Sequence, residues 1–561
     1  MQNKLLRLLP LLCIAFGSAH AAESLLIHNA KGLTLDAQGH VLRFDALLID
    51  AEGRVKATGK LSQLQGQAKG AHRIDAQGKV LMPGLIDAHG HISDLGLTRR
   101  QLELRETPDL AAALAAVKAY AAQRPDAAWL LGSGWNQAIW KLGRFPTAQE
   151  LDSAESQRPV WLTRVDGHAG WANSRALHLA GITRDTPDPA GGRIERLPNG
   201  EPSGVLVDAA TDLMDRHVPP PSALELSAAL AQAQQELLSL GLTSVTDAGI
   251  NNADDLLLRE MAQSGRLQLR IDGMARITDE ALMKRLRASG PVQPMADGLY
   301  SLRAIKVFAD GALGSRGAAL LAPYSDAPES RGLLFQSEAE LTAQIRPFVE
   351  QGFQINVHAI GDAANHQVLG AFEAMTRVFG AKSRALRHRI EHAQVIALSD
   401  IPRFAKAGVI ASVQPVHATS DMNMAEDRVG KVRIQGAYAW QGLLKSGARI
   451  ACGSDFPVEE PTPWAGLYAA ITRQDAAGQP PGGWYGNQVM TRVEALACFT
   501  TWAAYAAHRE DDTGSLTPGH RADFILVDRD PLTVPAQDIL GTKVVQTWVG
   551  GRLVYAAEAG R

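Results

Sequence analysis

Strand-like and helix-like segments alternate through the middle of this chain, and the alternation limits the fold more than any other feature of the sequence. Residues 222–225 form a capping box, a helical pattern continues from there to Leu240, and a β-type run at 242–247 follows Gly241. Eight such strands are predicted, at 85–89, 242–247, 268–273, 302–308, 353–358, 387–392, 409–414 and 448–453. Eight parallel strands with helical crossovers close a (β/α)8 TIM-like barrel, whose chemistry takes place at the C-terminal ends of the strands.

Further short β-type runs occur at both ends of the chain. They lie at 25–30, 46–50, 54–59 and 73–76, and again at 522–527, 544–549 and 552–555. Because chain termini commonly lie close together, we expect residues 22–80 and 510–561 to form one composite β-sandwich domain. The barrel then occupies residues 81–509, and the fold class expected is α/β.

A long segment, about residues 100–220, separates the first two barrel strands. It contains a strand of its own at 160–165 and several helical patterns, so we interpret it as an inserted α/β subdomain. Long insertions after barrel strands often cover the active site. The polar and aromatic clusters of this insert predict Trp135 and His168 as substrate contacts, with packing inside the insert as the alternative for each.

Residues 1–21 have the layout of a secretory signal peptide. Two basic residues precede an apolar stretch at 8–16, and Ala-His-Ala at 19–21 offers a site for cleavage after Ala21. The apolar stretch is shorter than the roughly 20 residues that a permanent membrane span needs. The sequence therefore predicts a periplasmic or secreted protein without a stable membrane anchor.

The distribution of charge limits the kinds of partner that the chain can bind. The 56 basic and 59 acidic side chains form no long blocks and give a net charge of -3, which argues against a nucleic-acid partner. We expect a small-molecule substrate, with a homo-oligomer as one option for assembly.

Once the signal peptide is removed, Cys452 and Cys498 remain, both in apolar segments. Buried free thiols are the expected state, and a single disulfide is the alternative.

The first barrel strand ends in two histidines, His89 and His91, separated by Gly90. Side chains at positions i and i+2 of a strand point the same way, so both imidazoles can reach one ion beyond the strand end. Imidazole is a common metal ligand, although such a pair alone is a weak signal. The pair gains weight because later strands also end in residues that can bind metal. These residues are His358, His392 and Asp455.

Lys306 lies inside the apolar fourth strand, where an unpaired ammonium is costly. A lysine whose pKa is lowered by burial can react with carbon dioxide to form a carbamate, whose two oxygens can bridge two metal ions. The alternative is that Lys306 is an ion-paired barrel residue, with Asp310 as its partner or as a metal ligand. The residue pattern leaves both interpretations open.

An ordered set of motifs resembles the amidohydrolase superfamily of metal-dependent hydrolases, and within it the YtcJ-like group. The matching stretches are 82–91, Lys306 with Asp310-Gly311, 357–359, 389–393, 453–457, 514–519 and 522–524. The resemblance implies that His89 and His91 bind one metal and that a carboxylated Lys306 bridges two metals. It further implies that His358 and His392 bind the second metal, and that Asp455 binds metal and moves protons. The cofactors expected are two divalent ions, with zinc as the expected metal, and a carbamate on Lys306.

The function predicted is hydrolysis of a non-peptide C–N bond of a small molecule, in an amide, N-acyl or formamide-like group. A hydroxide on the metals attacks the carbonyl, and Asp455 acts as the catalytic proton carrier. His417 is a third candidate for substrate contact. The same ligands also suit a lactone, ester or organophosphate hydrolase, and a non-catalytic binding protein is the alternative of another class. A mononuclear site built from His89, His91, Asp455 and one later histidine is the alternative to the metal pair.

Overall fold

The computed structural model describes residues 24–137, 139–165, 167, 169–189 and 192–558. The predicted signal peptide at 1–21 lies outside the described residues. Among the residues that are described, no helix combines the length and the apolar character that crossing a bilayer requires.

Eight parallel strands form the centre of the molecule, and we label them β1 to β8 in chain order. They are β1 (Leu85–Gly90), β2 (Leu242–Ile250), β3 (Arg270–Arg276), β4 (Tyr300–Phe308), β5 (Gln354–Ala359), β6 (Arg389–His392), β7 (Ile410–Val413) and β8 (Arg449–Cys452). Each strand pairs with the next one along the chain, and a short strand at Val292–Met295 adds to β4 in antiparallel orientation. The predicted barrel is thereby confirmed, and the predicted strand ends differ from these bounds by three residues or fewer.

The barrel closes where the ends of β8 and β1 meet. The Asp455 amide donates to the His89 carbonyl over 2.7 Å. The buried Asp87 carboxylate accepts hydrogen bonds from the Ser454 hydroxyl at 2.6 Å and from the His89 amide at 3.0 Å. Burial raises the pKa of Asp87 to about 6, although the hydrogen bonds from Ser454 and His89 lower it in part. Asp87 therefore fastens the two strand ends together directly beneath His89 and Asp455.

Helices surround the barrel. In the helix Ala223–Ser239, the Ser222 hydroxyl accepts from the Glu225 amide, which confirms the predicted capping box. The other helices that follow barrel strands are Ile92–Thr98, Asn252–Gln263, Glu280–Ser289, Glu338–Gln351, Asp362–Phe379, Ala381–Ala385, Ile401–Ala407, Pro415–Asp421, Ala425–Arg433, Trp440–Lys445, Pro463–Thr472, Arg492–Cys498 and Thr501–Ala506.

A disulfide joins Cys452, the last residue of β8, to Cys498, the last residue of the helix Arg492–Cys498. The prediction of buried free thiols is therefore wrong. The apolar surroundings gave no sign of pairing because the two cysteines are 46 residues apart, and only the fold brings their Cα atoms to 5.1 Å. The bond ties the strand that precedes Asp455 to the outer layer of helices.

Strands from both ends of the chain build the predicted β-sandwich. One sheet contains, in spatial order, Val55–Gly59, Ala46–Ile49, Leu25–His28 and His72–Asp75. The other contains Arg552–Ala556, Val544–Val549, Phe524–Val527, Val80–Pro83, Lys31–Leu35 and Val41–Phe44. Side chains from both sheets, such as Ile27, Leu47 and Phe524, share one buried core. A short helix, Leu61–Leu64, connects two strands of the first sheet.

The insert forms a sheet of six strands. In spatial order these are Gly192–Arg196, Pro202–Asp208, Ala169–Ala172, Val160–Arg164, Leu130–Trp135 and Leu102–Glu103. Its helices are Leu110–Gln123, Ala148–Asp152, Ser174–Leu179 and Asp212–Asp215. The sequence predicted only the strand at 160–165. Glycines at 132, 134, 170 and 204 weakened the β signal in three of the other strands.

Candidate active site

A cavity of about 850 Å³ opens at the C-terminal ends of the barrel strands. Its floor contains the predicted residues His89, His91, Lys306, His358, His392, His417 and Asp455. One wall comes from the insert, through residues that include Gln137, Phe145, Arg164 and Asp208. The volume lies within the range of roughly 300–1,000 Å³ that is typical of small-molecule sites. The insert thus covers the strand ends, as an insertion at this point of a barrel often does.

Asp455 lies between two groups of histidines. His91 Nε2 lies 3.2 Å and His89 Nε2 lies 3.4 Å from Asp455 Oδ1. On the other side, His417 Nε2 is 3.9 Å from Asp455 Oδ2. In each of the groups His89–His91–Asp455 and His392–His417–Asp455, the possible ligand atoms all lie within 4.8 Å of one another. Imidazoles and a carboxylate at this spacing suit a divalent metal such as zinc.

His358 and His392 lie side by side, with ring centroids 4.6 Å apart. Burial, together with the charge of Lys306, lowers the pKa of His358 to about 3. Burial and the neighbouring His358 lower the pKa of His392 well below its usual value. Both rings are therefore neutral near pH 7, which is the form that binds metal. Among the described residues, the buried Nε2 of His358 has no hydrogen-bond partner, which fits an atom that faces a metal.

The backbone at two strand ends adopts a conformation that is uncommon for residues with side chains. His392 has φ 73°, Ala393 has φ 43° and Asp455 has φ 62°. A left-handed conformation of this kind costs on the order of 1–3 kcal/mol for each residue and clusters at functional sites. At these positions it turns the chain out of β6 and β8 where His392 and Asp455 enter the cavity.

Lys306 is almost fully buried, and burial lowers its pKa to about 8. Its Nζ lies 3.5 Å from His89 Nε2 and 5.0 Å from the centre of the Phe308 ring. Among the described residues, no acidic side chain forms an ion pair with Lys306. The amine therefore lies among the predicted metal ligands in a form that loses its proton more easily than an exposed lysine does.

Asp310 does not pair with Lys306, contrary to the alternative drawn from the sequence. Its carboxylate accepts hydrogen bonds from three backbone amides, those of Ala319 at 2.9 Å, Ile360 at 3.0 Å and Gly361 at 2.8 Å. Burial raises the pKa of Asp310 to about 7 despite these bonds. Asp310 thus holds together the loops that follow β4 and β5, and one of its oxygens lies 3.6 Å from His358 Nε2.

One of the predicted substrate contacts, Trp135, does not line the cavity. Trp135 is fully buried in the core of the insert, where it contacts Trp140 and Trp171. Its Nε1 donates to the Leu162 carbonyl over 2.7 Å. The structure therefore gives Trp135 a packing role in place of substrate contact. His168 lies outside the described residues.

Sequence reasoning missed three groups of residues around the site. Asp87 fastens β1 to β8, and the pair Arg389 and Glu391 lies beneath His89. The signal for the pair is visible in the sequence, because Arg389 and Glu391 alternate within a strand that is otherwise apolar. At positions i and i+2 they lie on the same face of β6, where opposite charges can pair. The third group is Asp421 in the cavity wall, whose carboxylate accepts hydrogen bonds from Gln394 Nε2 and from the Tyr438 hydroxyl.

Comparison with known proteins places the chain among metal-dependent hydrolases. The model of the amidohydrolase family matches residues 73–555. Protein LONG AFTER FAR-RED 3 of Arabidopsis thaliana is 33% identical over 96% of this chain and 92% of its own length. The putative amidohydrolase YtcJ of Bacillus subtilis is 32% identical over 91% and 96%. The N-substituted formamide deformylase of Arthrobacter pascens is 29% identical over 95% and 98%.

Two solved structures share the whole architecture. An uncharacterized metal-dependent hydrolase from Pyrococcus horikoshii superposes with a TM-score of 0.78 at 26% identity, covering 92% of this chain and 99% of its own. An uncharacterized metal-dependent hydrolase from Pyrococcus furiosus gives a TM-score of 0.75 at 27% identity, covering 91% and 100%. The barrel, the sandwich and the insert therefore occur together in other proteins.

Proposed function

Because the chain belongs to the amidohydrolase family, we propose that it is an exported hydrolase that cleaves a C–N bond of a small molecule, in an amide, N-acyl or formamide-like group. The observation that carries the proposal is the convergence of five histidines and Asp455 in one cavity. Possible ligand atoms lie within 4.8 Å of one another in the groups His89–His91–Asp455 and His392–His417–Asp455, and His358 lies beside His392. The relative from Arthrobacter pascens, named as a formamide deformylase, supports the choice of a C–N bond.

In this proposal the chain holds two divalent ions, with zinc as the expected metal. His89, His91 and Asp455 would hold one ion, and His358 and His392 would hold the other. A carbamate on Lys306, formed when its neutral amine adds to carbon dioxide and releases a proton, would supply oxygen ligands to both. The lowered pKa of Lys306, about 8, supports this reaction because a larger share of the amine is then neutral near pH 7.

Polar atoms without partners next to Lys306 also support the carbamate. Asn356 is paired in register with Lys306 on the adjacent strand, and neither polar atom of its buried side chain has a hydrogen-bond partner among the described residues. Arg389 is the register partner of Asn356 on the other side, and its buried Nη1 likewise has no hydrogen-bond partner in the part of the chain that the structure describes. Donors buried without acceptors are rare in folded proteins, and a carboxylate group on the neighbouring lysine supplies acceptors.

Divalent ions bound here would supply an activated water and would polarise the carbonyl oxygen. Asp455 can take a proton and pass it to the leaving nitrogen, because its Oδ2 faces the cavity 3.9 Å from His417. His417 can contact the substrate, since its buried Nε2 has no hydrogen-bond partner among the described residues. The apolar parts of the wall, such as Phe145 and Phe308, exclude water from the bound molecule.

Two observations support export. The layout of residues 1–21 predicts a cleaved leader, and the disulfide between Cys452 and Cys498 fits an oxidising compartment. Mass spectrometry of protein purified from its native host is expected to find a mature chain that begins near Ala22. Detection of the chain with Met1 intact would contradict export by this leader.

The test of the activity is a screen of metal-loaded protein against N-acyl amino acids, formamides, lactones and phosphotriesters. We expect hydrolysis in one of the first two classes, loss of it in His91→Ala, and full activity in His366→Ala. His366 is the matched control because it is a histidine outside the cavity that pairs with Asp400 at 2.9 Å. Turnover of lactones or phosphotriesters alone would refute C–N specificity. Turnover that persists in His91→Ala would refute the metal site.

A further inference from the structure

We infer that Glu391 is a positioning residue that fixes the metal ligand His89, and that Arg389 holds Glu391 in place for this task. The inference rests on the proposed metal site and adds the residues that hold one of its ligands in place. It also implies that the two metal ions are bound with different affinity, because His89 hydrogen-bonds to a carboxylate and His392 to an amide.

The contact between the two side chains is short and shielded from water. His89 Nδ1 lies 2.5 Å from Glu391 Oε2, and neither residue is exposed. The carboxylate accepts, so Nδ1 carries the hydrogen and the lone pair of Nε2 stays free. That nitrogen faces the site, 3.4 Å from Asp455 Oδ1 and 3.5 Å from Lys306 Nζ. The bond therefore selects the tautomer of His89 that can bind metal.

Arg389 fixes Glu391 through two hydrogen bonds. Its Nε donates to Oε1 over 2.7 Å and its Nη2 donates to Oε2 over 2.9 Å. The same Nη2 also donates to the Ala88 carbonyl on β1 at 2.7 Å and to the Ser412 hydroxyl on β7 at 2.8 Å. Arg389 thus links three strands of the barrel, and a guanidinium that binds both oxygens leaves the carboxylate little freedom to rotate.

His392 and His91 lack such a carboxylate partner among the described residues. His392 Nδ1 lies 2.9 Å from Oε1 of Gln414, a neutral amide, and the buried Nδ1 of His91 has no hydrogen-bond partner within the described part of the chain. A carboxylate behind an imidazole makes the ring a stronger ligand than an amide does, and loss of such a partner typically costs 10–100-fold in metal affinity. We therefore expect the ion at His89 and His91 to be held more tightly than the ion at His392.

The test compares Glu391→Gln with Glu510→Gln. Each change removes the carboxylate partner of an arginine of the same segment, because Glu510 pairs with Arg387 at 2.9 Å, before β6 begins. The zinc dissociation constant and the rate of zinc release to a chelator are measured on the whole folded protein. We expect Glu391→Gln to weaken the tighter site by about 10–100-fold. Glu510→Gln is expected to bind zinc as the wild type does.

Glu391→Gln leaves the Arg389 cation buried, and this change alone can unfold the protein. A second variant, Arg389→Met with Glu391→Gln, removes both charges and is expected to fold and to show the same loss of zinc affinity. Wild-type affinity in either folded variant would overturn the inference. A wild type that binds no zinc would overturn the metal site and the inference together. A wild type that binds zinc but hydrolyses no C–N bond, with Glu391→Gln weakened, would overturn only the proposed function.

Discussion

Removal of the disulfide between Cys452 and Cys498 is expected to destabilise the folded protein strongly. The bond closes a loop with a sequence separation of 46 residues. In the chain-entropy model, opening a loop of this length costs about 4 kcal/mol of the free energy of unfolding. Both cysteines are fully buried, so Cys452→Ala with Cys498→Ala removes the bond without placing a new polar group in the core.

Two measurements check this prediction. Thiol titration in denaturant is expected to find two more thiols after reduction than before it. Denaturant unfolding is expected to show the double variant less stable than the oxidised wild type by about 4 kcal/mol. Wild type reduced before unfolding is the control, because it loses the bond and keeps both side chains. Equal thiol counts before and after reduction, or equal unfolding midpoints, would refute the reasoning.

Three further predictions concern the site and the pH dependence of stability. Asp455→Asn is expected to lose at least about 100-fold in hydrolysis while remaining folded, because it removes a metal ligand and the proton carrier. Lys306→Ala is expected to lose bound metal and to regain activity with a short carboxylic acid, which replaces the carbamate. His388→Gln is expected to flatten the fall in stability at acid pH. Burial lowers the pKa of His388 from 6.5 to about 3. Between these values the unfolded chain binds a proton that the folded chain excludes, so stability falls with falling pH by up to ~1.4 kcal/mol per pH unit.

Steady-state kinetics with circular dichroism test Asp455→Asn, and wild-type turnover in the folded variant would contradict its role. Elemental analysis tests Lys306→Ala, and a full complement of metal without added acid would contradict the bridge. Thermal unfolding from pH 7 to pH 4 tests His388→Gln, and an unchanged slope would show that His388 does not exclude the proton.

The strand ends of the barrel could be predicted from the sequence because each ligand follows a local pattern. His89 and Asp455 both end an apolar run, and parallel strands of a barrel deliver such ends to one rim. Local patterns of this kind need no knowledge of distant contacts. For the same reason the capping box at Ser222 was predictable, since its two partners are three residues apart.

Features that depend on distant pairs escaped prediction. Glu391 contacts His89 across 302 residues, and Cys452 meets Cys498 across 46. No periodic pattern in the sequence indicates such long-range contacts. Trp135 shows another limit, because the glycine-rich strand around it carries no alternation to tell a buried face from an exposed one. The sequence therefore predicted Trp135 as a substrate contact, whereas the structure buries its ring in the core of the insert.

Anomalous diffraction at the zinc absorption edge, from crystals of zinc-loaded protein, tests the metal-dependent site most directly. We predict two peaks in the cavity, one bound by His89, His91 and Asp455 and one bound by His358 and His392, with density for a carbamate on Lys306 between them. A single peak with an unmodified Lys306 amine in active protein would contradict the bridged pair. The absence of any peak within coordination distance of His89 and Asp455 would contradict the site as a whole.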